Sequence, residues 1–142
     1  MIASPDILFP ALALMGLTAC VWLWMLISRK KALQQSPQSM QVFATQQQTQ
    51  TFLQQANLPA ENFSNLFELP VIFYVMCLML FVTQHSSFVF LVLAWSFVIL
   101  RTGHSLVHIF FNHVIIRFVL YLLSSVMLWL IVILFAMELF DY

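Results

Sequence analysis

The sequence predicts an all-α integral membrane protein, a bundle of four membrane-spanning helices. Three observations carry that reading. Hydrophobic residues make up 63% of the 142-residue chain and charged residues 7%, where a soluble domain averages about 25% charged. Four apolar tracts each reach the roughly 20 residues needed to cross the hydrocarbon core. When those tracts are threaded alternately, Arg29, Lys30, Lys31, Arg101 and Arg117 all fall on one side, as the positive-inside bias requires. The five basic and five acidic groups cancel, so nothing in the charge balance points to nucleic acid.

The first span is Ile7 to Ser28, 22 residues without a charge. A signal peptide would begin with a basic region, and Met1 to Asp6 contains no Lys or Arg. Leu17-Thr18-Ala19-Cys20 looks like a lipoprotein cleavage box, but the apolar run continues past it through VWLWMLI. A retained transmembrane helix is therefore expected. Arg29-Lys30-Lys31 then places this end of the helix in the cytoplasm and Asp6 outside. Residues 29–61 form a cytoplasmic loop, with ten glutamines between Gln34 and Gln55, a compositional feature that carries no function by itself.

The second span runs from about residue 62 to 83, and Glu61, Ser64, Asn65 and Glu68 share one helical face at its entry. Pro70 removes a backbone donor there, so a kink or irregularity is expected. Gln84 to Ser87 makes a short external turn. The third span covers 88–112 and the fourth 114–140, with Glu138 and Asp141 outside. Both termini then lie outside the cytoplasm.

Arg101 to Tyr121, RTGHSLVHIFFNHVIIRFVLY, places two arginines, three histidines and an asparagine inside the longest apolar tract. Such groups are costly in lipid and normally face a bundle interior, a partner or a water-filled cavity. Arg101, His104, His108 and Asn112 fall at i, i+3, i+7 and i+11, one helical stripe. Arg117, Tyr121 and Ser124 make a second stripe. Glu68 is the carboxylate expected to pair with one arginine, with Asn65 filling leftover hydrogen bonds. One carboxylate cannot fully compensate two guanidinium groups, so two arrangements stay open: a lock alone, or a lock plus an anion site.

His104 and His108 have i, i+4 spacing that can serve a metal. The HExxH pattern is absent, and polar packing or hydrogen bonding to a ligand is the favoured reading, so no metal site is assigned. Cys20 and Cys77 sit in apolar runs and read as buried free thiols. The chain has no Gly-rich phosphate loop, Ser-His-Asp signature or CxxC motif. Four spans are too few to enclose a large site in one monomer; a homo-oligomer with sites between subunits would resolve that.

Three local patterns resemble the MAPEG family, the membrane-associated proteins in eicosanoid and glutathione metabolism. Asn65-Leu66-Phe67-Glu68 resembles the NxxE of the family's second helix. Arg101-Thr102-Gly103-His104 and Arg117-Phe118-Val119-Leu120-Tyr121 look like the RxxH and RxxxY of its microsomal prostaglandin E synthase branch. Glu61 to Tyr74, ENFSNLFELPVIFY, is similar to the small bacterial members. The resemblance implies a homotrimer in the bacterial inner membrane with glutathione held in cytoplasmic-side clefts between subunits. Arg117 would stabilise the glutathione thiolate; Asn65, Glu68, Arg101, His104, His108 and Tyr121 would contact or support the tripeptide. The implied activity is a transferase or peroxidase acting on a lipophilic electrophile from the bilayer. The alternative is a non-catalytic relative of the same fold that binds a lipid or a protein partner. The chain departs from the family's glutathione-using branches at two places: Glu61 stands where an arginine is common, and His108 where a contact tyrosine is.

Overall fold

The structure, a computed structural model, describes residues 5–35 and 57–140. The glutamine-rich part of the expected loop and Asp141 lie outside the described residues. A 3-10 turn at Pro5–Ile7 leads into α1 (Leu8–Gln35). Pro10 falls in the first turn of α1, where a missing N–H breaks no helical bond. After it come α2 (Asn57–Asn65), α3 (Leu69–Val82), α4 (Phe88–Leu106), a π-turn (Val107–Phe111) and α5 (Val114–Phe140). Among the described residues, four helical segments are long and apolar enough to cross a membrane: Pro5–Lys31, Leu58–Val82, Phe88–Phe111 and Val114–Phe140. No strand occurs among the described residues.

The second span is broken at Leu66–Glu68, between α2 and α3. Pro70, the second residue of α3, has no N–H to offer the Leu66 carbonyl, and its ring would clash with it. The chain compensates locally: Leu66 N–H donates to the carbonyls of Asn62 (3.2 Å) and Phe63 (3.1 Å), and Val71 N–H to Glu68 (3.2 Å). At the far end of α4, Asn112 N–H donates to the Val107 carbonyl at 2.7 Å, a bond one residue longer than the α-helical one. Asn112 itself is left-handed at φ 47°, a conformation asparagine tolerates better than most side chains.

The helices run alternately. Asp6 and Ile7 lie beside Ser86–Phe88 at one end, here the Asp6 end. Trp24 packs edge-on to Phe110 near the other, the basic end that carries Arg29–Lys31. The most extensive pairing joins α4 to α5, and α1 packs against α2, α3 and α4. Ile7, at the end of the 3-10 turn, and Ala11, Leu14, Val21 and Met25 of α1 form one buried seam, spaced by three, four or seven as one helix face requires. Phe73 and Phe97 stack at 4.4 Å in the middle of the bundle. Leu80, Phe90, Ala94, Leu128, Ile131 and Phe135 continue that core toward the Asp6 end. Cys77 is buried within it, but Cys20 is exposed on the outer face of α1, which corrects the expectation that both thiols are buried. The face of α1 that carries Cys20 points away from the helices it packs on.

Candidate functional site

Toward the basic end the interior changes character. Asn62, Arg101, His104, Ser105 and His108 are all buried, and they come from α2, α4 and the π-turn. Arg101 is 0% exposed and is the largest fully buried side chain among the described residues. It sits 13 residues beyond Phe88, about 20 Å along the helix. Its guanidinium lies 4.7 Å from the Tyr121 ring centre and 5.7 Å from that of Phe97, a cation–π arrangement. None of its three nitrogens makes a hydrogen bond of good geometry, although the Tyr121 side chain is close enough to interact with it.

The expected Glu68 lock is therefore not present. Glu68 is exposed in the break before α3, and among the described residues no carboxylate lies within ion-pair distance of Arg101. Glu68 reaches Arg101 only as a longer-range charge. The physical reason is Pro70: interrupting the helix turns Glu68 into the position that caps α3, so it no longer continues the face of α2. Asn65 is half-buried at the end of α2.

Asn62 takes the inward place instead. It is 0% exposed, and its Oδ1 accepts a hydrogen bond from Ser105 Oγ at 3.2 Å while its Nδ2 stays unpartnered. The signal for Asn62 was in the sequence: it shares a register with Leu66, Pro70, Phe73, Cys77 and Leu80, the buried face of the span. Reading the charged face of α2 as the functional one passed it over.

The two polar stripes do meet. His104 Nδ1 lies 2.9 Å from the backbone carbonyl of Arg117, so it ties α4 to the first turn of α5. The His104 ring stands 6.0 Å from Tyr121 and 5.9 Å from His108. His108 is 1% exposed, with Nε2 3.9 Å from Glu61 Oε2 on α2, whose side chain is 56% exposed. Arg117 is half-buried and donates a long bond, 3.4 Å, from Nη1 to Asn112 Oδ1. Asn112 leaves the inner stripe, because the π-turn and the left-handed residue rotate it outward. Tyr121 is half-buried, and Ser124 is buried with its hydroxyl bonded to the Tyr121 carbonyl at 2.8 Å.

Six buried polar atoms in this cluster have no partner: Asn62 Nδ2, the three Arg101 nitrogens, His104 Nε2 and His108 Nδ1. Native interiors pair nearly all such groups, and leaving one unpaired costs about 1–3 kcal/mol, more for a charge. Four of the six, Asn62 Nδ2 and the Arg101 nitrogens, are donors, and an excess of donors at a cation is what an anionic ligand with several acceptor oxygens would satisfy. Among the described residues no group of three or more His, Cys, Asp and Glu side chains is placed to hold a metal. No curated protein and no solved structure matches the chain significantly. The MAPEG family model matches residues 7–137, nearly its whole length, and the chain belongs to the MAPEG family.

Proposed function

We propose that this protein is a glutathione-dependent transferase or peroxidase of the membrane, working on a lipophilic electrophile. The family includes glutathione transferases and peroxidases as well as non-catalytic members, and its members generally use glutathione. The observation that carries the reading is Arg101: a buried guanidinium with three idle nitrogens is a receptor for a carboxylate, and glutathione has two. In the proposed complex Arg101, Asn65, Glu68, His104, His108 and Tyr121 hold the tripeptide. Arg117, half-buried at the mouth, holds the sulfur, because a nearby cation favours thiolate over thiol. The thiolate then attacks an electrophilic carbon, or takes the terminal oxygen of a hydroperoxide and releases the alcohol. In the second case another glutathione converts the sulfenic acid to disulfide and water.

The active assembly in this reading is a homotrimer in the bacterial inner membrane. Its basic end faces the cytoplasm, both termini lie outside, and the spans are the four expected from the sequence. Support comes from the second span, whose Glu61, Ser64 and Glu68 are exposed along a segment long enough to cross the membrane. Exposed carboxylates there need a partner surface or water. A second reading, a non-catalytic protein that binds a lipid or a partner protein, is favoured by one observation: the exposed Glu61 carboxylate lies 3.9 Å from His108, where it would repel a net-negative tripeptide.

Arg117 separates the two. Arg117→Ala should leave trimer size and thermal stability nearly unchanged while lowering thiolate formation, read by ultraviolet absorbance of purified protein titrated with glutathione, by about 100- to 1,000-fold. Arg117→Lys should recover part of it, since the charge returns without the planar fork. Wild-type protein that binds no glutathione at millimolar concentration would leave the non-catalytic reading in its place.

A further inference from the structure

The reaction proposed above needs somewhere for the thiol proton to go, and an arginine cannot take it: guanidinium is never deprotonated in proteins. The geometry points to His104 as the base that accepts this proton, and to His108 with Glu61 as its route to solvent. This inference rests on the glutathione reading.

The carbonyl of Arg117 can only accept a hydrogen bond. A neutral His104 held to it at 2.9 Å must therefore carry its hydrogen on Nδ1. Its lone pair is then on Nε2, which is buried and has no partner. This is how a second group presets an imidazole for proton abstraction: one nitrogen fixed as donor, the other left bare. Helical spacing puts His104 one turn from Arg101, and its own tether places it against the first turn of α5, which begins with the region of Arg117. A thiol held by Arg117 would lie near that lone pair, because the carbonyl of the same residue tethers the ring. The other bases of the region are less suited: Glu68 is exposed, and His113 is exposed beyond the π-turn.

In the step itself the S–H bond breaks, its electron pair stays on sulfur, and an N–H bond forms at His104 Nε2. The product is a thiolate beside the Arg117 guanidinium and an imidazolium in the same pocket. The groups facing His104 are Arg101 from its own helix, His108 from the π-turn, and Arg117 and Tyr121 from α5. Two of these are fixed cations, so the proton cannot stay without repulsion. His108 is the next imidazole, its ring centre 5.9 Å away, a gap that one bridging water spans, and its Nδ1 is also unpartnered. Its opposite nitrogen faces the Glu61 carboxylate at 3.9 Å, and that carboxylate is more than half exposed. The line runs from a buried base to a buried imidazole to an exposed acid. Glu61, out of place as a contact for an anionic tripeptide, is well placed as the outlet for a proton.

His104→Gln tests the base, because the amide keeps a polar group in the place of the ring's far nitrogen but cannot accept a proton there, at the cost of the bond from Nδ1 to the Arg117 carbonyl. With wild-type protein in nanodiscs, three signals are read together: glutathione binding by calorimetry, thiolate by stopped-flow absorbance, and proton release by a pH-indicator dye. The variant should bind glutathione within about tenfold of wild type, the share of one hydrogen bond, yet form thiolate at least about 100-fold more slowly. Glu61→Gln, an exposed change that does not burden folding, should bind as well or better and slow proton release several-fold. Thiolate formed at the wild-type rate by His104→Gln overturns the base. Proton release at the wild-type rate by Glu61→Gln overturns the outlet, and it decides that part even if His104→Gln fails to fold. A wild type that binds no glutathione fails differently: it removes the enzyme reading and this inference together.

Discussion

Toward the Asp6 end the helices meet through Leu80, Phe90, Ala94, Leu128, Ile131 and Phe135; toward the basic end they meet through Asn62, Arg101, His104, Ser105 and His108. The first set is what packing alone would choose. Lipid tails are as apolar as leucine, so the gain there is close contact between side chains, with little hydrophobic driving force behind it. The second set works against stability. A buried arginine near the middle of a span costs about 3 kcal/mol on insertion scales, and here it has a ring face below it but no hydrogen bond. A region that lowers stability without a structural return is where to look for a ligand.

The largest expected effect tests the apolar half. Phe73→Ala removes a fully buried ring stacked on Phe97 and should destabilise the protein by about 3–5 kcal/mol. Molecules that remain folded should bind glutathione with unchanged affinity. The check is thermal denaturation in detergent alongside calorimetric titration, and a loss of affinity as large as the loss of stability would mean the two halves are not separable.

Arg101→Met reverses the pattern. Affinity for glutathione should fall about 100-fold, which corresponds to about 3 kcal/mol of charge-assisted hydrogen bonding. The melting temperature of the ligand-free protein should hold or rise, because an unpaired buried charge has been replaced by an apolar chain of similar length. A clear drop in that temperature would show that the Tyr121 contact outweighs the desolvation.

The smallest effect belongs to Glu68. Exposed and outside ion-pair distance of Arg101 within the subunit, it should change monomer stability by less than about 0.5 kcal/mol when replaced by Gln. A larger shift seen only in the oligomer, by native mass spectrometry with heating, would place its carboxylate in a contact between subunits.

The halves also differ in how much of them could be read in advance. Four helices were legible because length and apolarity suffice to mark a span. The inward direction of Arg101, His104 and His108 was legible from helical spacing, since polar groups in lipid have one good direction to face. The same spacing failed at Asn112, because a five-residue turn and a left-handed residue change the phase of the helix there. It failed again at Glu68, where the angular count ran from Glu61 into the break at Leu66–Glu68 as though the helix were continuous. Asn62 was overlooked for a different reason: an uncharged amide draws less notice than the glutamates around it, although it was the amide that lay on the buried register. Periodicity carries information only as far as the helix that generates it.

The link between α4 and α5 has a consequence for biogenesis. Only Asn112 and His113 separate the end of the π-turn from the start of α5. A connection that short leaves no room for one helix to settle in the bilayer while the other waits in the translocation channel. The pair should therefore enter as a single hairpin, and Arg101 should arrive with the Tyr121 ring that covers it already emerging behind. Translation stopped after His113 would present the arginine to lipid with no cover, and such a chain should insert less efficiently than one carried through Phe140.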